Sequence, residues 1–327
     1  MARILVAGET IVDFLPDSTG SLSAVESFAR RPGGAPANVA VGLARLDADL
    51  EFWTRIGGDP FGDFLAGALS ERGVSTAYVE RDSDAKTTLA FVSLGEDADR
   101  EFCFYRDRAA ETRMEPGTIP DDDLAAFDWV HFDVLSLDAE PSRSAALDLA
   151  KRAREAGATV SFDPNARPER WREFSYAESA REGFALADVV KATPEDLREA
   201  GFDGDAPKLA RAVCERGPHT ALVTLGGEGS YAYATADAPW ATETTEATHG
   251  GYDVDSVDTT GAGDAFTAGV VAGLAGGETL ADALAFGNAV AALTTTAAGA
   301  MTALPTREEV ADFVESADLD EDVGSRE

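Results

Sequence analysis

The residues best suited to chemistry lie in "DTTGAGDAF" (258–266), which runs into the helical pattern "DAFTAGVVAGLAGG". Gly261 and Gly263 stand where a helix begins, although a glycine inside a helix costs roughly 1 kcal/mol relative to alanine. Bare backbone there lets several N–H groups converge on an anion, and the helix dipole adds to the attraction. Asp264 falls in the first turn. An acid so placed most commonly just stabilises the helix start. A hydroxyl nucleophile, however, needs a base and an anion hole close together, and this stretch supplies both.

The glycines fit neither of two common phosphate-binding patterns. No Gly-Lys-Ser/Thr follows, as a Walker A loop requires, and no G-x-G-x-x-G follows the first apolar strand. A second glycine turn, "TLGGEGSYAY" (224–233), is weaker, because a hairpin uses the same residues. Asp163 and Asn165 in "FDPN" suit a ligand contact or an Asx turn at a strand end.

These residues need elements to position them. "RILVAG" (3–8), "LEFWTRIG" (50–57), "ATVSFDPN" (158–165), "ADVVKAT" (187–193) and "TALVTLG" (220–226) read as buried strands. Helical patterns lie between them. In "APANVAVGLARL" (35–46), Val39, Leu43 and Leu46 share a face, and Pro36 suits a first turn. "PSRSAALDLAKRAREAG" (141–157) is amphipathic and ends on a capping Gly157. Alternating strands and helices predict an α/β fold, a mostly parallel sheet covered on both faces. Ligands of such sheets bind beyond the carboxyl ends of the strands, where Gly8, Asp163, Lys191 and Gly226 fall. Residues 9–32 and 86–108 break the alternation and read as antiparallel hairpins forming a small β-sheet lid, with "GEDADR" as the second turn. His131 in "WVHFDVLSL" reads as a packed strand residue.

The 327 residues carry 60 acidic and 27 basic side chains, a net charge of −33, and only four lysines. That balance argues against nucleic acid or anionic membranes as partners. Regular apolar patterning and 44% hydrophobic residues argue against disorder. Dense carboxylates and scarce lysine suggest a cytoplasmic enzyme adapted to high salt. Cys103 and Cys214 are expected as reduced thiols. No signal peptide or membrane span is expected. Residues 318–327 read as a solvated acidic tail.

Taken together, "RPGGAPANVAVGLARL" (31–46) and "DTTGAGDAF" resemble the two signatures of the ribokinase-like (PfkB) carbohydrate kinase family. "GETIVDF", "FYRDRAAE", "FDPN", "KATPEDL" and "TLGGEG" occur in the family's order, so the resemblance covers essentially the whole chain. It implies one kinase domain (core 1–8, 33–85 and 109–317) with the lid described above. Within the family, "GGAPANVAVG", "FYRDRAAE" and "FDPNARPERW" are most similar to fructokinase stretches. 2-Keto-3-deoxygluconate kinase is the nearest alternative, and ribokinase a more distant one.

The resemblance implies roles by position. Asp264 would take the proton from a sugar hydroxyl, with the amides of Gly261, Ala262, Gly263 and Asp264 as the anion hole. Asp13, Gly33, Gly34, Asn38 and Asp163 would hold sugar hydroxyls, with Phe104 and Arg106 facing the sugar from the lid. Asn165, Arg167 and Lys191 would lie toward the phosphates of ATP. Thr224, Gly226 and Gly229 would line the nucleotide site, with Asn288 near the adenine. The family's Asn-x-x-Glu magnesium motif is altered here to Thr193-Pro194-Glu195-Asp196, which leaves Asp196, aided by Glu195, for Mg2+. Asp258, Thr260 and Gly299 match a monovalent-cation site, implying K+ activation. An apolar outer lid face implies a homodimer. A nicotinamide-dependent oxidoreductase and a catalytically silent sugar-binding protein are the alternatives from other classes.

Overall fold

The computed structural model describes residues 1–94 and 100–324. In its amino-terminal half, strands β1 (Arg3–Ala7), β2 (Ile11–Pro16) and β3 (Phe28–Gly33) precede helix α1 (Ala35–Arg45). There follow β4 (Asp49–Gly57), α2 (Pro60–Glu71), β5 (Val79–Asp82), β6 (Leu89–Leu94), β7 (Arg100–Tyr105) and α3 (Asp121–Leu124). The middle holds β8 (Trp129–Asp133), α4 (Ser142–Ala156), β9 (Thr159–Asp163), α5 (Tyr176–Leu186) and β10 (Val189–Ala192). Then come α6 (Pro194–Glu199), α7 (Ala206–Cys214), β11 (Thr220–Thr224), β12 (Ser230–Ala234) and β13 (Thr245–His249). Helices α8 (Ala262–Ala275), α9 (Leu280–Thr295) and α10 (Arg307–Gly324) close the chain.

Nine strands form one sheet in the order β13-β12-β11-β10-β9-β8-β1-β4-β5. Every pair from β11 to β5 is parallel, whereas β12 and β13 are antiparallel additions at one edge. The strands are short apolar runs because both sheet faces are covered. On β1, Leu5 and Ala7 face a core packed by α4, α5 and α7, while Ile4 and Val6 face one packed by α1, α8 and α9. The five expected strands and both expected helices are present, with ends shifted by at most two residues. Gly157 caps α4 in the left-handed conformation, at φ 93°.

The lid is a four-stranded sheet in the order β3-β2-β6-β7. Both expected hairpins pair antiparallel, but they join through a parallel β2–β6 contact, Val12 opposite Leu89. Local patterning foretells hairpins and says nothing of how they join. Residues 95–99 of the expected "GEDADR" turn lie outside the described residues. At the acidic end, α10 runs to Gly324. Among the described residues, no helix is long and apolar enough to cross a membrane.

Candidate active site

The site lies beyond the carboxyl ends of β9 and β10, where a cleft of about 650 Å³ meets the start of α8. Gly261 is the N-cap of α8, left-handed at φ 80°, and a Cβ there would stand 2.7 Å from the Ala300 methyl. A Cβ on Gly263 would stand 2.9 Å from Lys191 Nζ. The two glycines therefore bring backbone close to the 300 region on one side and to a cation on the other. Ala265 N makes the first helical hydrogen bond, to the Gly261 carbonyl. The amides before it have no acceptor within the helix. Ala262 is a partial correction to the expected anion hole, because its amide donates to the Thr259 carbonyl at 3.2 Å. Gly261, Gly263 and Asp264 are left to meet an anion.

Asp264 lies in this first turn. Burial pushes its carboxyl up to about 6, opposed by the hydrogen bond from Asn38 and by the Lys191 charge. Asn38 Nδ2 donates to Asp264 Oδ2 at 2.7 Å. A buried carboxyl in this range can take a proton near neutral pH. Lys191 Nζ donates to Asp163 Oδ2 at 3.0 Å. Burial pulls the Lys191 ammonium down, but Asp163, Asp196 and Asp264 together hold it above its usual range. Asp163 Oδ1 accepts from Asn165 N at 3.0 Å, so the Asx turn and the cleft-facing placement occur together.

On the other side of Asp264, Asn38 sits in the first turn of α1, which starts at Gly34. Gly34 has φ 103°, and a Cβ there would meet the Glu9 carbonyl oxygen at 2.7 Å. A Cβ on Gly33 would meet Asp13 Oδ2 at 2.0 Å, so only glycine admits the Asp13 side chain. Burial and the nearby Glu9 charge raise Asp13 to about 7. Asp13 Oδ1 and Asn38 Oδ1 are buried without a hydrogen-bond partner among the described residues. Such atoms are costly unless a ligand satisfies them.

The remaining expected residues divide. Arg167 lines the cleft, and its Nη1 donates to the adjacent Ala166 carbonyl at 2.7 Å. Asp196 also lines it, and its carboxylate closes a capping box with Thr193 while accepting from Ala166 N at 2.8 Å. Glu195 is exposed and pairs with Arg198 at 2.8 Å. Asp258 Oδ1 accepts from Thr260 N at 2.9 Å, and Oδ2 from Gly299 N at 2.9 Å, which unites those three residues. Thr224, Gly226 and Gly229 follow or end β11, the strand beside Lys191, in the turn that leads into β12. Asn288 lies away from the cleft lining; its amide donates to Ser230 Oγ and the Leu284 carbonyl, both at 2.7 Å, tying α9 to β12. His131 is a packed residue bonded to Ser161, as expected.

The lid departs most from expectation. Phe102 lines the cleft, whereas Phe104 and Arg106 line a separate cavity of about 840 Å³ where the lid meets the core. Arg106 is clasped there by Asp138 and Glu111, and Arg170 by Asp138 and Glu9. Sequence reasoning missed this group. Glu9, Glu111 and Arg170 sit inside quoted motifs, but nothing local marks them as partners across 161 positions.

Comparison with known proteins agrees with this arrangement. Residues 1–307 match the pfkB family of carbohydrate kinases. The fructokinase of Vibrio alginolyticus is 36% identical over 327 residues, covering 96% of this chain and 99% of that one. A crystal structure of fructokinase with bound ATP from Xylella fastidiosa superposes with a TM-score of 0.85 at 32% identity, covering 96% and 98% of the two chains. The Vibrio cholerae O395 fructokinase, in its fructose-, ADP- and calcium-bound form, gives a TM-score of 0.82 at 32% identity, covering 96% and 99%. With its signatures, its two-sheet fold and the geometry around Asp264 all in agreement, the chain belongs to the pfkB family of carbohydrate kinases.

Proposed function

We propose that this protein transfers the γ-phosphoryl group of ATP to fructose, giving fructose 6-phosphate. The observation that carries the reading is the buried Asp264 carboxyl, held between Asn38 and Lys191 at the glycine-lined start of α8. The fructokinases among its relatives support the choice of sugar.

In this reading the sugar lies against Asp13, Gly33, Gly34 and Asn38, and Asp13 Oδ1 and Asn38 Oδ1 accept hydrogen bonds from its hydroxyls. Asp264 accepts the proton of the attacking hydroxyl as its oxygen bonds to the γ-phosphorus. The bond to ADP breaks, and the Gly261, Gly263 and Asp264 amides take up the charge on the transferring group. Lys191, Asn165 and Arg167 hold phosphate oxygens; Asp163, expected at the sugar, has its oxygens taken by Lys191 and Asn165 and orients Lys191. Asp196 would hold magnesium through water, its carboxylate fixed by Thr193 and Ala166. When bound, magnesium supplies charge neutralisation and orientation of the phosphates. Asp258, Thr260 and Gly299 would frame a potassium ion, which suits a salt-rich cytoplasm. Exposed Tyr105 on the lid supports pairing of two lids in a homodimer.

A panel of fructose, ribose, glucose and 2-keto-3-deoxygluconate, run with Mg-ATP at high potassium, tests the reading. Fructose is expected to give the highest kcat/KM. ATP turnover with none of them would favour a silent sugar-binding protein.

A further inference from the structure

A buried ionic cluster joins the lid to the core. Arg170 is fully buried; its Nε donates to Asp138 Oδ2 at 2.8 Å, and its Nη1 donates to Glu9. Arg106 grips the same Asp138 with both terminal nitrogens, at 2.8 and 3.2 Å, and its Nε donates to Glu111 at 3.1 Å. Glu111 is buried and also accepts from Thr88 Oγ1 at 2.7 Å. The Arg170 guanidinium lies 5.5 Å from the Phe104 ring. Two cations thus meet three carboxylates.

Glu9 connects the cluster to the residues assigned to the sugar. The backbone of Glu9 packs against Gly34, and its charge acts on Asp13. Two arginine forks in that position would otherwise make a receptor for a carboxylate ligand. Here both forks are occupied by carboxylates of the chain itself, which need not be captured from solution. A sugar acid would have to displace Asp138 while entering a region with surplus negative charge. A neutral sugar has no such conflict.

We propose that Asp138 is a specificity-determining residue that occupies the Arg106 and Arg170 forks and so closes the sugar site to anionic sugars. The selectivity works by excluding the wrong ligand rather than by holding the right one. The inference rests on the sugar-kinase reading above.

The test compares wild type, Asp138→Asn and Asp138→Asn/Arg106→Ala by titration calorimetry with fructose and with 2-keto-3-deoxygluconate, alongside turnover of both. Asp138→Asn keeps shape and removes the charge that holds the forks. Its affinity for the sugar acid relative to fructose should rise by about tenfold or more, and the added Arg106→Ala should cancel that gain. Damage to packing alone would weaken both ligands in parallel, and that result overturns the inference. If Asp138→Asn does not fold, Glu111→Gln frees only Arg106 Nε and should move the ratio the same way by a smaller factor; no movement overturns the proposal. Binding separates the two readings: failure of the wild type to phosphorylate any sugar removes the kinase reading, while the calorimetric ratio still decides the role of Asp138.

Discussion

The cleft before α8 and the junction beneath the lid both contain buried cations, but they use them in opposite ways. In the cleft, among the described residues, Lys191 has one close carboxylate partner, Asp163, and Arg167 donates to a backbone carbonyl. At the lid junction, Arg106 and Arg170 share Asp138 and are each bound by a further acid. A cation that keeps donors to spare can meet an incoming phosphate. One whose donors are taken by fixed carboxylates is a structural link. The difference teaches that residue type alone does not mark an anion site; the count of carboxylates already bound to each cation does.

The largest expected effect tests the cleft half of this contrast. Asp264→Asn should lower turnover by at least about 10²-fold, the lower bound for losing general-base catalysis, with sugar and nucleotide affinities little changed. Steady-state kinetics and calorimetry on one preparation check this.

Two arginine substitutions should then give opposite readouts. Arg170→Ala strands Glu9 in the interior and leaves Asp138 to Arg106 alone; breaking a buried pair costs about 3–5 kcal/mol, so denaturant unfolding should show a large stability loss. Arg167→Ala should barely move stability but raise KM for ATP about tenfold, as expected for a lost charge-assisted hydrogen bond. If the two readouts coincide, the division of cations is wrong.

A smaller effect concerns the metal. Asp196→Ala should raise the magnesium needed for half-maximal rate several-fold, since a water-mediated carboxylate is one of several holds on the ion. Unchanged dependence would move the role to another group. The smallest effect per residue is spread over the surface. With 60 acidic side chains, self-repulsion reaches about 30 Å at 0.01 M salt and about 3 Å at 1 M. The melting temperature should climb steadily from dilute buffer to molar KCl in a thermal scan.

The contrast also explains what the sequence could tell. Gly261, Gly263 and Asp264 were legible because a glycine-rich helix start carries a local chemical reason. Asp163 and Lys191 were legible because parallel strands end where ligands bind. The clasp of Arg106 is not legible, since its partner Asp138 lies 32 residues away and Glu9 reaches Arg170 from the segment between β1 and β2. The expectation that Arg106 faces the sugar follows from the resemblance, and only the fold shows its donors taken by Asp138 and Glu111. Phe102 rather than Phe104 borders the cleft for a related reason: both lie on one face of β7, and only the placement of the lid decides which reaches it. The parallel β2–β6 seam is likewise set by tertiary pairing.

The central claim is that Asp264, buried at the start of α8, acts as the base. The pH dependence of kcat/KM for fructose, in wild type and in Asp264→Asn, tests it most directly. With its carboxyl raised to about 6, Asp264 must be ionised to accept a proton, so activity should be lost as pH falls through that value. The account predicts an acid limb near pH 6 in the wild type and none in the residual activity of Asp264→Asn. A wild-type profile flat through that range, or the same limb persisting in the variant, would contradict it.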